Sequence, residues 1–196
     1  MRFLICFLFW AAVYTVSQAD DWVRAGNEAY RSGDLAKAVE AFRTARHTDP
    51  KNYEVTWKLA RSLSDQGVLM KRSPQQKERF LEALALAQEA TRLNPKVSKA
   101  VVYVAISEGK VVLFDGGKQK VELGKDVKAQ SEKAIELNRG AVAHHVELGL
   151  TYLEMKQWAD GRDEFEKALH LPKQYPTDEN YQQQAREGLK QAKRYL

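Results

Sequence analysis

From residue 148 to 171 the chain reads LGLTYLEMKQWADGRDEFEKALHL, with large and small apolar residues set among polar ones at helical spacing. Leu148, Gly149 and Tyr152 fall on one face of a first helix, and Gly161, Phe165 and Ala168 on one face of a second. Lys156-Gln157 marks a short break between them. Two antiparallel helices approach closely only where one offers a notch small enough to admit a bulky side chain from the other. The spacing therefore predicts a helical hairpin in which Gly149, Gly161 and Ala168 are sockets for Tyr152, Trp158 and Phe165.

A single hairpin cannot bury its outer apolar surface, so the pattern should recur along the chain. It does near the front, where Trp22, Ala25-Gly26, Gly33, Leu35, Ala38, Phe42, Ala45 and Pro50 keep the same offsets. Two weaker copies fill the middle, aligned by the helix ends ARHTDP at Ala45, ATRLNP at Ala90, AIELNR at Ala134 and ALHLPK at Ala168. These middle units are longer by about ten residues than a standard helical-pair repeat, and the excess is expected between the paired helices. Ser73-Pro74-Gln75-Gln76 supplies an N-cap, a proline at the first helical position and a glutamine at the third, predicting a helix from there to Leu93. Asp115-Gly116-Gly117 predicts a turn before a helix from about Lys118 to Asn138. Residues 101–114, VVYVAISEGKVVLF, carry β-branched side chains that favour strand. An inner helix enclosed on several sides is also apolar nearly all round, and helix is the expectation here. After Pro176, Thr177 is a candidate N-cap and Tyr181, Ala185, Leu189, Ala192 and Leu196 form one stripe, predicting a terminal helix that covers the last repeat.

These positions resemble the tetratricopeptide repeat (TPR) family, whose 34-residue unit runs W-x2-L-G-x2-Y, then A-x3-F-x2-A, then P. Residues 19–52 match at Trp22, Gly26, Ala38, Phe42, Ala45 and Pro50 and depart at Ala25 and Ala29; residues 142–175 match at Leu148, Gly149, Tyr152, Phe165 and Ala168 and depart at His145, Gly161 and Lys173. The third unit also resembles the helical-repeat domain of the regulator-of-microtubule-dynamics group and its bacterial relatives. The resemblance implies an all-α, right-handed α-solenoid of about four helix pairs, with units near 19–52, 53–97, 98–141 and 142–175 and a capping helix near 177–196. It further implies a concave groove that takes an extended peptide, a chain terminus or a helix of another protein. Carrying the groove positions over places Arg24, Asn27, Arg31, Trp57, Lys58, Arg61, Lys99, Tyr103 and Ile106 on its floor, with the more apolar Val146, Leu150 and Leu153 in the last unit. Cations and amide donors predominate in that set, which favours an acidic ligand. Val23 stands where the family's carboxylate-binding members carry lysine, so a strict clamp on a chain terminus is not expected.

Met1-Arg2 precedes an apolar run from Phe3 to Val16 and then Ser17-Gln18-Ala19, the layout of a secretory signal peptide over residues 1–19, with cleavage after Ala19. The run is shorter than the roughly 20 residues that span a bilayer, so no membrane association is expected after cleavage. Cys6, the single cysteine, lies inside this segment, which leaves a mature chain without thiol or disulfide chemistry. A periplasmic or secreted location follows. The balance of 31 Lys+Arg against 26 Asp+Glu, with the signs mixed along the chain, is too even to argue for nucleic acid.

Motifs of catalysis and cofactor binding are weak. Gly117 to Gly124-Lys125 has the wrong spacing for a phosphate loop, and Asp126 stands in place of its Ser/Thr. No GxSxG, CxxC, HExxH or calcium-loop pattern occurs, and no cofactor is implied. His144-His145 with Glu147 is the strongest metal signal. Adjacent helical residues point about 100° apart, so the two imidazoles share an ion only at a helix start. Trp22, Phe42, Tyr152, Trp158 and Phe165 read as core, whereas Trp57 and Tyr103 fall just after core positions and point outward. The leading expectation is an exported, non-catalytic adaptor or scaffold that binds a protein or peptide. Self-association into a homo-oligomer and metal binding at His144/His145 are the alternatives.

Overall fold

The computed structural model describes residues 19–115, 120–174 and 178–196. The export segment expected over 1–19 lies outside them apart from Ala19, as do the turn at Gly116-Gly117 and the Thr177 cap. The described residues contain nine α-helices and no strand. We number them α1 (residues 19–31), α2 (Leu35–Thr48), α3 (Tyr53–Leu69), α4 (Pro74–Leu93), α5 (Ser98–Asp115), α6 (Lys120–Leu137), α7 (Val142–Glu154), α8 (Trp158–His170) and α9 (Asp178–Ala192). Each helix packs on the next, giving four antiparallel pairs closed by α9. The valine-rich 101–114 segment lies wholly within α5, where burial on nearly every side outweighs its strand propensity.

Local signals start and stop these helices as the side chains require. Asp34 accepts from the Lys37 amide, Asn52 from the Glu54 and Val55 amides, and Ser73 from the Gln76 amide, each meeting one of the first orphan N–H groups. Gln76 then reaches back with its side-chain amide to donate to the Gly67 and Met70 carbonyls, which closes the α3–α4 turn. Gly33 turns the α1–α2 link at φ +82°, a conformation free of cost only for glycine, while Lys156 takes φ 60° in the corresponding α7–α8 link.

The socket principle holds, with a changed cast. A Cβ on Gly26 would stand 2.7 Å from the Phe42 ring, one on Gly67 2.7 Å from Phe80 and one on Gly149 2.7 Å from Phe165. Phe165 is gripped from both sides, because Gly188 of α9 lies against its other edge. The rings of Tyr152 and Trp158 do not occupy glycine notches. Tyr152 is half-buried beneath the Lys128 ammonium, and Trp158 stacks on Tyr195 at 4.4 Å. Gly161 instead admits the Gly149 carbonyl, Leu153 and, at 3.5 Å, the Cβ of Tyr152. Trp22, expected in the core, is 38% exposed.

The extra residues of the second unit lengthen its helices to 17 and 20 residues and do not form a long loop. Its ring, Phe80, therefore lies about two turns further from the end of its helix than Phe42 does in the first unit. The third pair, 18 residues each, sets Val127 against Gly109 where the others have phenylalanine. Two apolar clusters result, one running from α2 to α6 and the other built around Phe165 between α7, α8 and α9.

Candidate functional site: the concave groove

The first helices of the four pairs, together with α9, line one cavity of about 940 Å3. Arg24, Asn27, Arg31, Trp57, Lys58, Arg61, Lys99, Tyr103 and Ile106 all border it. The structure thus brings together every groove position read from α1, α3 and α5. It does not do so for α7: Val146 and Leu153 are buried in the second cluster and Leu150 packs against it, while Ala143, His144 and Glu147 face the cavity.

Several of these side chains are already engaged. The Arg61 guanidinium lies 3.5 Å from the Tyr30 ring centroid and 5.1 Å from that of Trp57, bracing the wall between α1 and α3. Lys99 stands 5.3 Å from the Trp57 ring on its other approach. Trp57 and Tyr103, expected to point outward, are only 6% and 8% exposed, since these cations and the neighbouring helices cover them. Lys58 pairs with Glu54 at 2.7 Å, and Arg24 with Asp21 at the same distance.

A polar hub crosses the floor. The Tyr30 hydroxyl of α1 donates to Asp65 of α3 at 2.5 Å. The Tyr103 hydroxyl of α5 lies near those of both Tyr30 and Tyr181, which brings the first helix and the last together at the centre of the array. Burial pushes all three phenols well above their usual range, with the Asp65 charge adding to the effect. Asp65 is itself raised by burial, against the opposing Tyr30 hydrogen bond and the charges of Arg61 and Lys110.

Asp65 and Glu147 make the groove mixed in charge, in place of the cationic floor read from α1, α3 and α5. The sequence does carry a signal for both. Arg24 stands two residues before the socket glycine Gly26, Asp65 two before Gly67 and Glu147 two before Gly149. Gly67 escapes recognition as a socket, because aligning the repeats by their helix ends sets Ala87 in place of Phe80.

The histidine pair is structural. His145 meets the Glu164 carboxylate through Nδ1 at 2.7 Å and the Arg139 carbonyl through Nε2 at 3.0 Å, so both ring nitrogens are taken up by oxygen partners within the protein. His144 donates through Nδ1 to the Asn138 carbonyl at 3.2 Å. Among the described residues no group of three or more His, Cys, Asp or Glu side chains is placed to hold an ion. The metal reading of His144, His145 and Glu147 is thereby corrected: the pair fastens the α6–α7 link, with Gln174 donating to the Gly140 carbonyl from the far side. No helix among the described residues is long and apolar enough to cross a membrane.

Four stacked hairpins, aromatic-on-glycine contacts and a groove lined by the first helix of each pair define a tetratricopeptide-type solenoid. The same architecture occurs in a thermophilic TPR protein of Thermus thermophilus, at TM-score 0.70 and 15% identity over 91% of each chain. MamA aligns at TM-score 0.57 and 18% identity, over 91% of this chain and 87% of its own. The TPR2B domain of yeast Sti1, solved as a pHsp70 complex, aligns at TM-score 0.52 and 20% identity, over 72% of this chain and 98% of its own.

Within that class, the chain belongs to the family of regulator of microtubule dynamics protein 1-3, whose model matches residues 15–147. The likeness read in the third unit alone therefore extends over the first three. Regulator of microtubule dynamics protein 1 of Mus musculus is 29% identical over 150 residues, 74% of this chain and 48% of that protein. The Bos taurus protein of the same name is 29% identical over 128 residues, 65% of this chain and 40% of its own. The chain thus spans about half the length of the curated relatives it matches, or less.

Proposed function

We propose that this chain is a non-catalytic scaffold that holds a segment of another protein in its concave groove. The observation that carries this reading is the continuous cavity to which α1, α3, α5, α7 and α9 all contribute. A ligand lying along it touches every repeat, so many weak contacts sum to useful affinity. The outer cations Arg24, Arg31 and Lys99 suit acidic groups on that segment. Support by analogy comes from the second TPR domain of human RPAP3, whose structure holds the HSP70 peptide SGPTIEEVD and which aligns at TM-score 0.51 and 17% identity.

The N-terminal segment supports export to the periplasm or beyond. N-terminal sequencing of the protein from fractionated cells checks this, with Asp20 as the expected first residue and an intact Met1 as the contrary result. The name of the relatives supports a second reading, a microtubule-linked partner; co-sedimentation with assembled tubulin separates it from the first.

The groove itself is tested by reversing Arg24, Arg31 and Lys99 to glutamate together and co-purifying partners from the source cells. Capture is expected to be lost while the helical circular dichroism is retained. Undiminished capture by a folded triple variant places the binding face elsewhere.

A further inference from the structure

The described residues hold two separate apolar cores. That of a first body, α1–α6, ends at Ala134 of α6; that of a second, α7–α9, begins at Val142 of α7, and the two share no residue. The second body is tightly knit, since Phe165 of α8 is gripped between Gly149 of α7 and Gly188 of α9. The pair on the other side of the join is less well filled. A Cβ on Gly109 would stand 3.8 Å from Val127, against 2.7 Å from the rings of the other pairs, and the buried hydroxyls of Ser107 and Ser131 have no hydrogen-bond partner among the described residues. The links between pairs differ at the same place. Pro50 and Pro95 stiffen the α2–α3 and α4–α5 links, and Asn52 caps α3. The α6–α7 link, Asn138-Arg139-Gly140-Ala141, carries arginine in the proline position and adds a glycine, and Ala141 gives α7 no side-chain cap. Proline narrows the backbone's choices and glycine widens them, so this link has the greater freedom.

We propose that α7–α9 turn as one body about residues 138–141, and that this turning sets the width of the groove. The side chains that hydrogen-bond the link's carbonyls, His144, His145 and Gln174, all belong to the second body. They fix the link to α7–α9, and the turning point falls where the chain leaves α6. The first body lines the groove through α1, α3 and α5 and the second through α7 and α9, so rotation at the join moves one wall against the other. Tyr181 of α9 lies near Tyr103 of α5 where the walls meet, and the two phenols part as the groove opens. A segment lying along the groove touches both bodies and favours the closed arrangement. The hinge itself does not depend on what the groove takes.

The test is double electron–electron resonance between spin labels on the full chain, with Cys6→Ser so that only introduced cysteines react. One pair, Glu28→Cys with Gln183→Cys, spans the join from exposed positions on α1 and α9; the control pair, Glu28→Cys with Gln75→Cys, stays within the first body. The spanning pair is expected to give the broader distance distribution, and Arg139→Pro to narrow it to the width of the control. Among the described residues the Arg139 amide donates no hydrogen bond, so proline there removes none. Gly140→Ala, whose methyl meets only the ends of the Gln174 and Asn138 side chains, is the stiffening variant to use where Arg139→Pro loses its helical circular dichroism. Equal widths for the two pairs in the otherwise unaltered chain overturn the hinge and leave the groove reading standing. A spanning distribution that stays broad in a folded stiffened variant overturns the assignment of the motion to this link.

Discussion

At the scale of single residues, the packing rests on rings pressed onto glycine. A methyl group at Gly26, Gly67 or Gly149 meets a phenyl ring at 2.7 Å, well inside van der Waals contact, and the rings behind it are confined. Alanine at any of these positions is expected to destabilise by about 1–3 kcal/mol, the range for overpacking a filled core. Phe165→Ala leaves a cavity between two glycines and should cost about 3–5 kcal/mol. Urea unfolding curves for the four variants check this, and values near zero would show that the helices can part freely. Lys156 offers the opposite case: glycine there relieves a left-handed backbone and should raise the melting temperature by about 2–4 °C in a chain of this size. No change on Lys156→Gly means that the link relaxes without help.

At the scale of elements, the helices are legible in the sequence and their neighbours less so. Ser73-Pro74 announces α4 to the residue, since a cap side chain and a proline at the first turn act locally. The face of α7 is misread from sequence because it depends on which side the α6–α7 link approaches, and that is fixed by His144, His145 and Gln174 reaching carbonyls that no local pattern reveals. This link makes the molecule sensitive to acid. Burial pushes His144 down to about 4, so between pH 6.5 and 4 the unfolded chain binds a proton that the folded chain refuses. Stability is complete above about pH 6.5 and should decline by about 3 kcal/mol toward pH 4. Burial pushes Glu164 up, yet hydrogen bonds from His145 and Lys167 outweigh it and hold the group below its ordinary range, so its contribution is lost only as the pH falls further. Unfolding at pH 7 and pH 4.5 measures the decline, and His144→Gln should flatten it. An equally steep decline in that variant assigns the effect to other groups. The contacts in which Nη2 of Arg43 donates to both oxygens of Glu82, and Nη2 of Arg46 to both of Glu89, tie α2 to α4 across the outer surface and are likewise invisible in the sequence, because they join residues about forty apart.

At the scale of the whole molecule, periodic spacing alone conveys a curved stack of hairpins, because each hairpin must bury the face its neighbour exposes. The charge of the trough cannot be conveyed in the same way. Cations dominate the positions read from α1, α3 and α5, but Asp65 and Glu147 enter from two residues before their socket glycines and turn a basic surface into a mixed one. Tyr30, Tyr103 and Tyr181 border the same cavity, so a bound segment meets the first and the last helix at once. The most direct test of this account is a photo-crosslinking residue placed at Asn27 in the groove, with Glu40 on the exposed side of α2 as the control, irradiated in cells of the source organism. A discrete adduct to one partner protein from position 27 and none from position 40 is the predicted result; an adduct from position 40 alone would contradict it.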